Sequence, residues 1–506
     1  MTQRPSGGPP ITPVWHHPLV VGGAILALAL FGLYARLDGI SASLWLDEFG
    51  TFWVVENDLI TAFRRAWQFQ GQSPFYYVLA WIPVHLIGES EAALRAPSLI
   101  FGCVFVAALY AAARLLSGPT AGLYAALFSW LSVPCITSSA EARPYALVLA
   151  SLAIALLGYQ WAVSSGDRWG RVLWTLGGAA VAWSHYVQYP TVIGLFVAYL
   201  LLPDLRTRYS TRKFMVDGLC QLGLVSLCTP QIVNLSLRHG ALSWLGGSDF
   251  SVPLTLLLPL IPAIVLGEAL TRGRNGDRTG KALRRSLWYC LLAHAIVLNL
   301  AALGGVNLLA SRYFIGILVP GVLLAATGVA RIRRGEAFAA FLGFAILTGF
   351  GLSATKRTLG TYSGLGYDDW RGAAAELSAR TRGMNKPLVL LRSGFVEEDS
   401  LPLGSPGDAT LAPLRSPGRP RVGWEVKPLT YRWNNPRREA YFRTGLSPGI
   451  QESDRFFVLT GRWSPEQMRY GDEFIRWVSS TWEREFVVTR TSFGGVELLE
   501  FRRTER

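Results

Sequence analysis

Asp47 and Glu48 stand side by side in Ser43-Leu44-Trp45-Leu46-Asp47-Glu48-Phe49, just past the first long apolar run. A carboxylate held at the water boundary of a membrane, beside a lipid-borne substrate, can take the proton of an attacking hydroxyl. Trp45, Phe52 and Trp53 flank the pair and suit the interface as aromatic anchors. The same two residues also read as a solvated acidic pair that ends a helix, and the local sequence alone leaves both readings open.

Glu141-Ala142-Arg143-Pro144-Tyr145 falls in a tight turn between two apolar runs. Charge costs about 2.5–3.5 kcal/mol per residue at mid-membrane and less near the edge, so retaining both charges needs a reason. Either Glu141 and Arg143 form a local pair that ends the helices, or Glu141 shapes an acceptor pocket while Arg143 faces anionic oxygen. Arg312-Tyr313 opens a later run; a guanidinium there suits a phosphate through its planar fork, or snorkels from a helix end. Arg95 has the same two readings. His185, in Ser184-His185-Tyr186, is an interfacial histidine or a ligand, and no second residue at metal-site spacing accompanies it.

The elements that must position these groups are membrane helices. The chain has 506 residues, 51% hydrophobic and 16% charged, with a mean hydropathy of +0.30, too apolar for an ordinary soluble protein. Its net charge of +14 sits mostly in short gaps between apolar runs, the pattern that orients membrane helices rather than a nucleic-acid surface. Cys103, Cys135, Cys220, Cys228 and Cys290 lie in or beside apolar runs, without disulfide or metal spacing.

Runs able to span a bilayer lie near residues 18–36, 96–116, 120–138, 144–163, 216–232, 251–270, 286–304, 313–330 and 337–353. Residues 74–88, short and interrupted by Pro83, read as an interfacial helix; 169–203 reads as a tight hairpin of two short spans. These choices put Arg206, Arg208, Arg212, Lys213, the stretch from Arg272 to Arg285, Arg331, Arg333 and Arg334 on one side, and so predict about eleven crossings under the positive-inside rule. The first run is read as a retained anchor, although Ala27-Leu28-Ala29 imitates a cleavage site. The expected organisation is a cytoplasmic tail at 1–17, a transmembrane domain at 18–355 and an extracytoplasmic α/β domain at 356–506. The acids, Arg143, His185, the 233–250 loop and Arg312 share the outer face. A helix at Trp370–Arg380 and strands near Leu388, Phe456 and Val496 carry the α/β reading; the proline-rich stretch 401–420 reads as a loop.

The ordered set Trp45-Leu46-Asp47-Glu48, Ser73-Pro74-Phe75-Tyr76-Tyr77, Ala93-Leu94-Arg95-Ala96-Pro97-Ser98, Glu141-Ala142-Arg143-Pro144-Tyr145, His185-Tyr186 and Ser311-Arg312-Tyr313 resembles the GT-C membrane glycosyltransferases, in the branch of protein O-mannosyltransferases and lipid A aminoarabinose transferases. The likeness covers about residues 18–355, and Asp369-Trp370-Arg371-Gly372 resembles the start of the outer domain in bacterial members. Ser73 departs from the family's first proline, and the lysine that holds phosphate in aminoarabinose transferases is absent. The resemblance implies a catalytic Asp47 and a second acidic position at Glu141; with Glu48 these are the candidate catalytic residues, and Tyr76, Arg95, Arg143, Tyr145, His185, Arg312 and Tyr313 are the candidate substrate contacts. It further implies a polyprenyl-phosphate sugar donor, a glycan, lipid or protein acceptor, and a bacterial inner-membrane site of action; some members hold a divalent metal. The rival from another class is a lipid-linked sugar transporter or flippase, which needs a polar path across the bilayer.

Overall fold

The computed structural model describes residues 18–69, 73–237, 251–271, 278–306, 308–332, 334–359, 368–395, 408–416, 423–461, 465–482 and 486–504. The tail 1–17, most of the 233–250 loop, the basic residues of 272–277, Arg333 and most of the proline-rich stretch lie outside these.

Every apolar run forms helix. Among the described residues four helices are long and apolar enough to cross a membrane, namely Glu91–Ser117, Tyr145–Ser165, Val252–Ala269 and Arg278–Leu303. The run over 120–138 forms a bent pair, Pro119–Leu131 and Val133–Ser139, which meet at 67° and together are apolar and long enough to count as a fifth span. Pro134 explains the break, because its ring removes a backbone donor just where the helix would continue. The hairpin is built as Arg168–His185, a 3-10 turn at Tyr186–Gln188, and Pro190–Leu201. Phe75–Ile87 is about 20 Å long at 1.5 Å per residue, too short for a full crossing.

Small residues let the helices meet backbone to backbone. A Cβ added at Gly158 would lie 2.3 Å from the backbone nitrogen of Trp174, and one at Gly194 would lie 2.5 Å from the Cα of Cys290. Gly158→Ala is therefore expected to destabilise by about 1–3 kcal/mol through overpacking, despite alanine's better helix propensity. A lowered apparent melting temperature of the purified protein checks this.

These long helices also separate the two ends of the membrane domain. Glu91–Ser117 carries Arg95 near one end and, at the other, Ser117, whose hydroxyl accepts from Arg331. Tyr145–Ser165 runs likewise from the Glu141 turn to Ser164, whose carbonyl accepts from Arg208. The basic loop residues Arg208 and Arg331 thus lie at the end opposite Arg95 and Tyr145.

Beyond the last membrane-domain helix, Arg334–Leu359, which runs past the expected boundary at 355, a five-stranded sheet forms. Its strands are β1 (Leu388–Arg392), β2 (Glu425–Pro428), β3 (Arg455–Gly461), β4 (Phe486–Phe493) and β5 (Val496–Arg503), in the order β2-β1-β3-β5-β4. β1 pairs parallel with β2 and β3, whereas β5 is antiparallel to β3 and β4. One face packs Leu388, Phe456, Val458 and Phe501 against Tyr470, Phe474 and Val478 of the helix Pro465–Thr481. The other face shares a core with Trp370, Phe49, Phe52, Tyr77 and Leu94. That shared core brings the sheet onto the helix that bears Asp47. Trp370 meets Phe49 edge-on at 5.7 Å. The neighbouring Arg371 donates its backbone N–H to Ser43 Oγ at 3.2 Å, donates Nη2 to the Ser41 carbonyl at 3.2 Å, and pairs with Glu91 at 3.5 Å.

Candidate active site

Asp47 is the second residue of the helix Leu46–Val55. Its Oδ2 accepts from Arg312 Nη1 at 2.8 Å and lies 3.9 Å from Arg143 Nη2. Arg143 also donates Nη1 to the Asp47 carbonyl at 3.3 Å, and Thr51 Oγ1 donates to the Ala142 carbonyl at 2.8 Å. Three segments far apart in sequence therefore converge on one carboxylate. Its side chain keeps 20% of its surface exposed, and among the described residues no group bonds Oδ1.

Glu48 is the next residue on that helix, turned about 100° away. The turn sends it into the interior, where it is fully buried. Oε1 accepts from Arg95 Nε at 2.7 Å and from the Ala142 N–H at 2.7 Å. Oε2 takes Arg95 Nη2, and the Trp45 N–H at 3.3 Å, the reach-back of a capping carboxylate. The remaining donors of Arg95 go to the carbonyls of Gly39, Ile40, Ala42 and Ser43. Glu48 and Arg95, expected as a catalytic acid and a substrate contact, pair with each other here and tie down the loop that precedes Asp47. Tyr76, expected as a substrate contact, also has a protein partner. It is fully buried, its hydroxyl meets Ser98 Oγ at 2.8 Å, and Ser98 in turn donates to the Arg143 carbonyl at 3.2 Å.

Arg143 Nε, the Tyr145 hydroxyl and both ring nitrogens of His185 are buried without a hydrogen-bond partner among the described residues. Buried polar groups are nearly always paired, so four orphaned atoms on three side chains mark a candidate place for a polar guest. His185 stacks on Tyr145 with centroids 5.8 Å apart and meets the edge of Tyr313 at 5.6 Å. The Arg312 guanidinium lies 5.4 Å from the Tyr313 ring centroid. Glu141 is only 9% exposed. Its carboxyl is pushed up to about 8, first by burial and next by the negative charge of Glu48, with Asp47 adding to this and Arg143 and Arg312 opposing it.

No group of three or more His, Cys, Asp or Glu able to hold a metal occurs among the described residues. The residues around Asp47 do not suit one. Arg312 and Arg143 already face its Oδ2, and their charges repel a divalent cation.

The chain superposes on ArnT from Cupriavidus metallidurans in the apo state with a TM-score of 0.53 at 12% identity, covering 95% of this chain and 98% of that one. The chain has the GT-C fold. The same ArnT bound to undecaprenyl phosphate also matches, with a TM-score of 0.53, 12% identity, and 96% and 98% coverage. The apo oligosaccharyltransferase of Archaeoglobus fulgidus matches at 0.50 and 11% identity, over 97% of this chain and 75% of that one. Residues 71–232 match the family described as Dolichyl-phosphate-mannose-protein mannosyltransferase. No curated protein sequence matches the chain.

The segment matched to that family spans Tyr76, Arg95, Glu141, Arg143, Tyr145 and His185 but stops short of Arg312 and begins after Asp47. Within the GT-C fold of this chain, Asp47, Arg143 and Arg312 make direct contact, and Tyr145, His185 and Tyr313 form one aromatic group beside them. Thr51 and Ser98, which pin the Glu141–Arg143 turn from behind, carry no spacing signal that singles them out in the sequence.

Proposed function

We propose that this GT-C protein transfers a sugar from a polyprenyl-phosphate donor to an acceptor hydroxyl at the outer face of a bacterial inner membrane. The observation that carries the reading is the Asp47 carboxylate set between two guanidiniums, next to four orphaned polar atoms. Asp47 takes the proton of the acceptor hydroxyl as that oxygen bonds to the anomeric carbon. The bond from that carbon to phosphate breaks from the opposite face, so the product is inverted and polyprenyl phosphate leaves. Phosphate is already a good leaving group, so one base and a cationic cradle suffice where glycoside hydrolysis uses two carboxyl groups.

In this reading the pair Asp47–Arg312 is a resting arrangement. The arriving phosphodiester offers the guanidiniums two non-bridging oxygens, a better fork than a single carboxylate oxygen, and a second negative charge develops on it as the bond to the sugar breaks. Arg312 and Arg143 then turn to the phosphate, and Asp47 is released to act as base only when donor is present. His185 and Tyr145 give the bound sugar phosphate hydrogen-bonding partners, and the Tyr145–His185 stack walls the site. Glu48, Arg95 and Tyr76 act through the loop they fix. The acceptor, whether glycan, lipid or protein, meets Asp47 from the side of the sheet bearing β1–β5.

About eleven crossings, with Asp47 and the sheet outside and Arg208 and Arg331 inside, remain our topology, supported by the opposite-end placement of these groups. Single cysteines at Ser41 and Arg208, in a background without native cysteines, are expected to react with an impermeant thiol reagent from opposite sides of intact cells.

The activity test uses the purified chain in proteoliposomes with polyprenyl-phosphate sugars and follows release of free polyprenyl phosphate with a glycosylated product. Movement of the donor across the bilayer without that release would assign the chain to transport instead.

A pH profile tests Glu141. An acid whose value is raised to about 8 is neutral below that pH and ionises above it. A neutral Glu141 can donate a hydrogen bond to substrate, so transfer should hold near pH 7 and fall about tenfold per unit well above pH 8. Glu141→Gln, which stays neutral, is expected to keep the activity at pH 7 and to flatten the alkaline limb.

A further inference from the structure

Arg312 does not lie in a helix that could aim it. It sits in the short 3-10 turn Ser311–Tyr313, with residue 307 outside the described residues and the helix Leu318–Val329 starting only after a second short turn. Such a turn has too few internal hydrogen bonds to hold a long side chain in one direction. Two distant helical segments supply what it lacks. Gln188, at the tip of the hairpin, donates Nε2 to the carbonyls of both Arg312 (3.1 Å) and Tyr313 (2.9 Å), and its Oε1 accepts from the Gly316 N–H at 2.9 Å. His294, in the middle of the helix Arg278–Leu303, meets the Tyr313 carbonyl with Nε2 at 2.9 Å and Thr191 Oγ1 with Nδ1 at 2.7 Å.

A carbonyl only accepts, so Nε2 of His294 carries the proton and Nδ1 accepts from the Thr191 hydroxyl. All the polar atoms of these side chains that face the turn are used, and Gln188 and His294 are fully buried. The clamp is also tightly fitted, since a Cβ at Gly316 would come 2.6 Å from Gln188 Oε1 and 3.1 Å from Thr191 Oγ1. Buried polar groups in an apolar bundle are costly unless they are satisfied, and here Gln188 and His294 converge on the backbone of one turn while Thr191 holds His294 from behind.

We propose that His294, Gln188 and Thr191 are positioning residues that hold the Arg312 turn so that its guanidinium meets the donor phosphate. This rests on the reading of Arg312 as a phosphate contact given above. None of the three touches substrate; Gln188 and His294 act through the Arg312 and Tyr313 carbonyls, and Thr191 acts through His294.

The test measures binding of undecaprenyl phosphate, which has the phosphate but no sugar, to the purified full chain, alongside apparent melting temperature. Arg312→Gln is expected to weaken binding about tenfold or more, the loss of one charge-assisted contact. His294→Leu, similar in volume but without ring nitrogens, should weaken it by about fivefold to tenfold, and Thr191→Val, a milder change should His294→Leu fail to fold, by about threefold. His294→Gln places an amide N–H close to the lost Nε2–H and should recover most of the affinity. In the Arg312→Gln background, His294→Leu should cost little more, because the clamp then has no guanidinium to aim.

If His294→Leu and Thr191→Val bind as tightly as the unaltered chain, or if the loss from His294→Leu is undiminished in the Arg312→Gln background, the positioning role is wrong. If Arg312→Gln itself leaves binding unchanged, the phosphate reading of Arg312 fails first.

Discussion

Asp47→Asn is expected to lower the rate of transfer by about 10²–10⁴, the usual range for removing a general base. The substitution keeps the side chain's shape and the Arg312 contact through its amide oxygen but cannot accept the hydroxyl proton. Because the carboxylate and its nearer partner Arg312 are each about one-fifth exposed and the amide oxygen still accepts from Arg312, the change in stability should be small, about 0–1 kcal/mol. Donor affinity is expected to hold or improve, since Arg312 and Arg143 no longer have an anion to give up before they take a phosphate. The pattern to look for is thus a collapsed kcat with an unchanged or lower KM for the lipid donor, and a melting temperature close to the starting value. Arg312→Gln should show the reverse emphasis, with donor KM raised. An Asp47→Asn protein that kept most of its transfer activity would leave the carboxylate without a chemical role and would return Asp47–Arg312 to a structural ion pair.

The sequence made the membrane helices legible, and it singled out the segments of Asp47, Arg143 and Arg312 that meet in the structure, because apolar length and ordered short motifs survive without three-dimensional information. The helix Trp370–Arg380 and the strands near Leu388, Phe456 and Val496 fall where pattern and propensity put them. The broken helix at Ser132 was readable in principle from Pro134. So was the β4–β5 hairpin, which turns through Gly494-Gly495 after an alternating strand; Gly494 has a φ of +59°. Adjacent acids were harder. In a string, Asp47 and Glu48 look like one feature, whereas a helix turns consecutive side chains to different neighbours, so one faces the guanidiniums of Arg143 and Arg312 and the other is locked to Arg95. Gln188 and His294 lay beyond reach because a lone polar residue in an apolar segment has no spacing partner. Their meaning comes from a turn more than a hundred residues away in one case and nineteen in the other.

Arg95→Met is expected to be the most destabilising of the changes considered, by about 3–5 kcal/mol, because it strands the Glu48 carboxylate in a fully dry site. It also removes the donor that gathers the Gly39, Ile40, Ala42 and Ser43 carbonyls, so the link between the first helix and the helix of Asp47 loosens. The double substitution Arg95→Met/Glu48→Gln separates these two costs. A neutral amide at position 48 no longer needs a cation and can still accept from the Ala142 and Trp45 N–H groups, so the pair of changes should be less damaging than Arg95→Met alone. Glu48→Gln by itself leaves a buried guanidinium short of its counter-charge but still bonded to four carbonyls, and should fall between the others. Apparent melting temperatures of the four proteins measure the order, and transfer rates taken well below melting measure what the loop contributes to aiming Asp47. A catalytic Glu48 makes the opposite prediction, a Glu48→Gln protein that is as stable as the original and yet inactive, with Arg95→Met no worse than an ordinary core substitution.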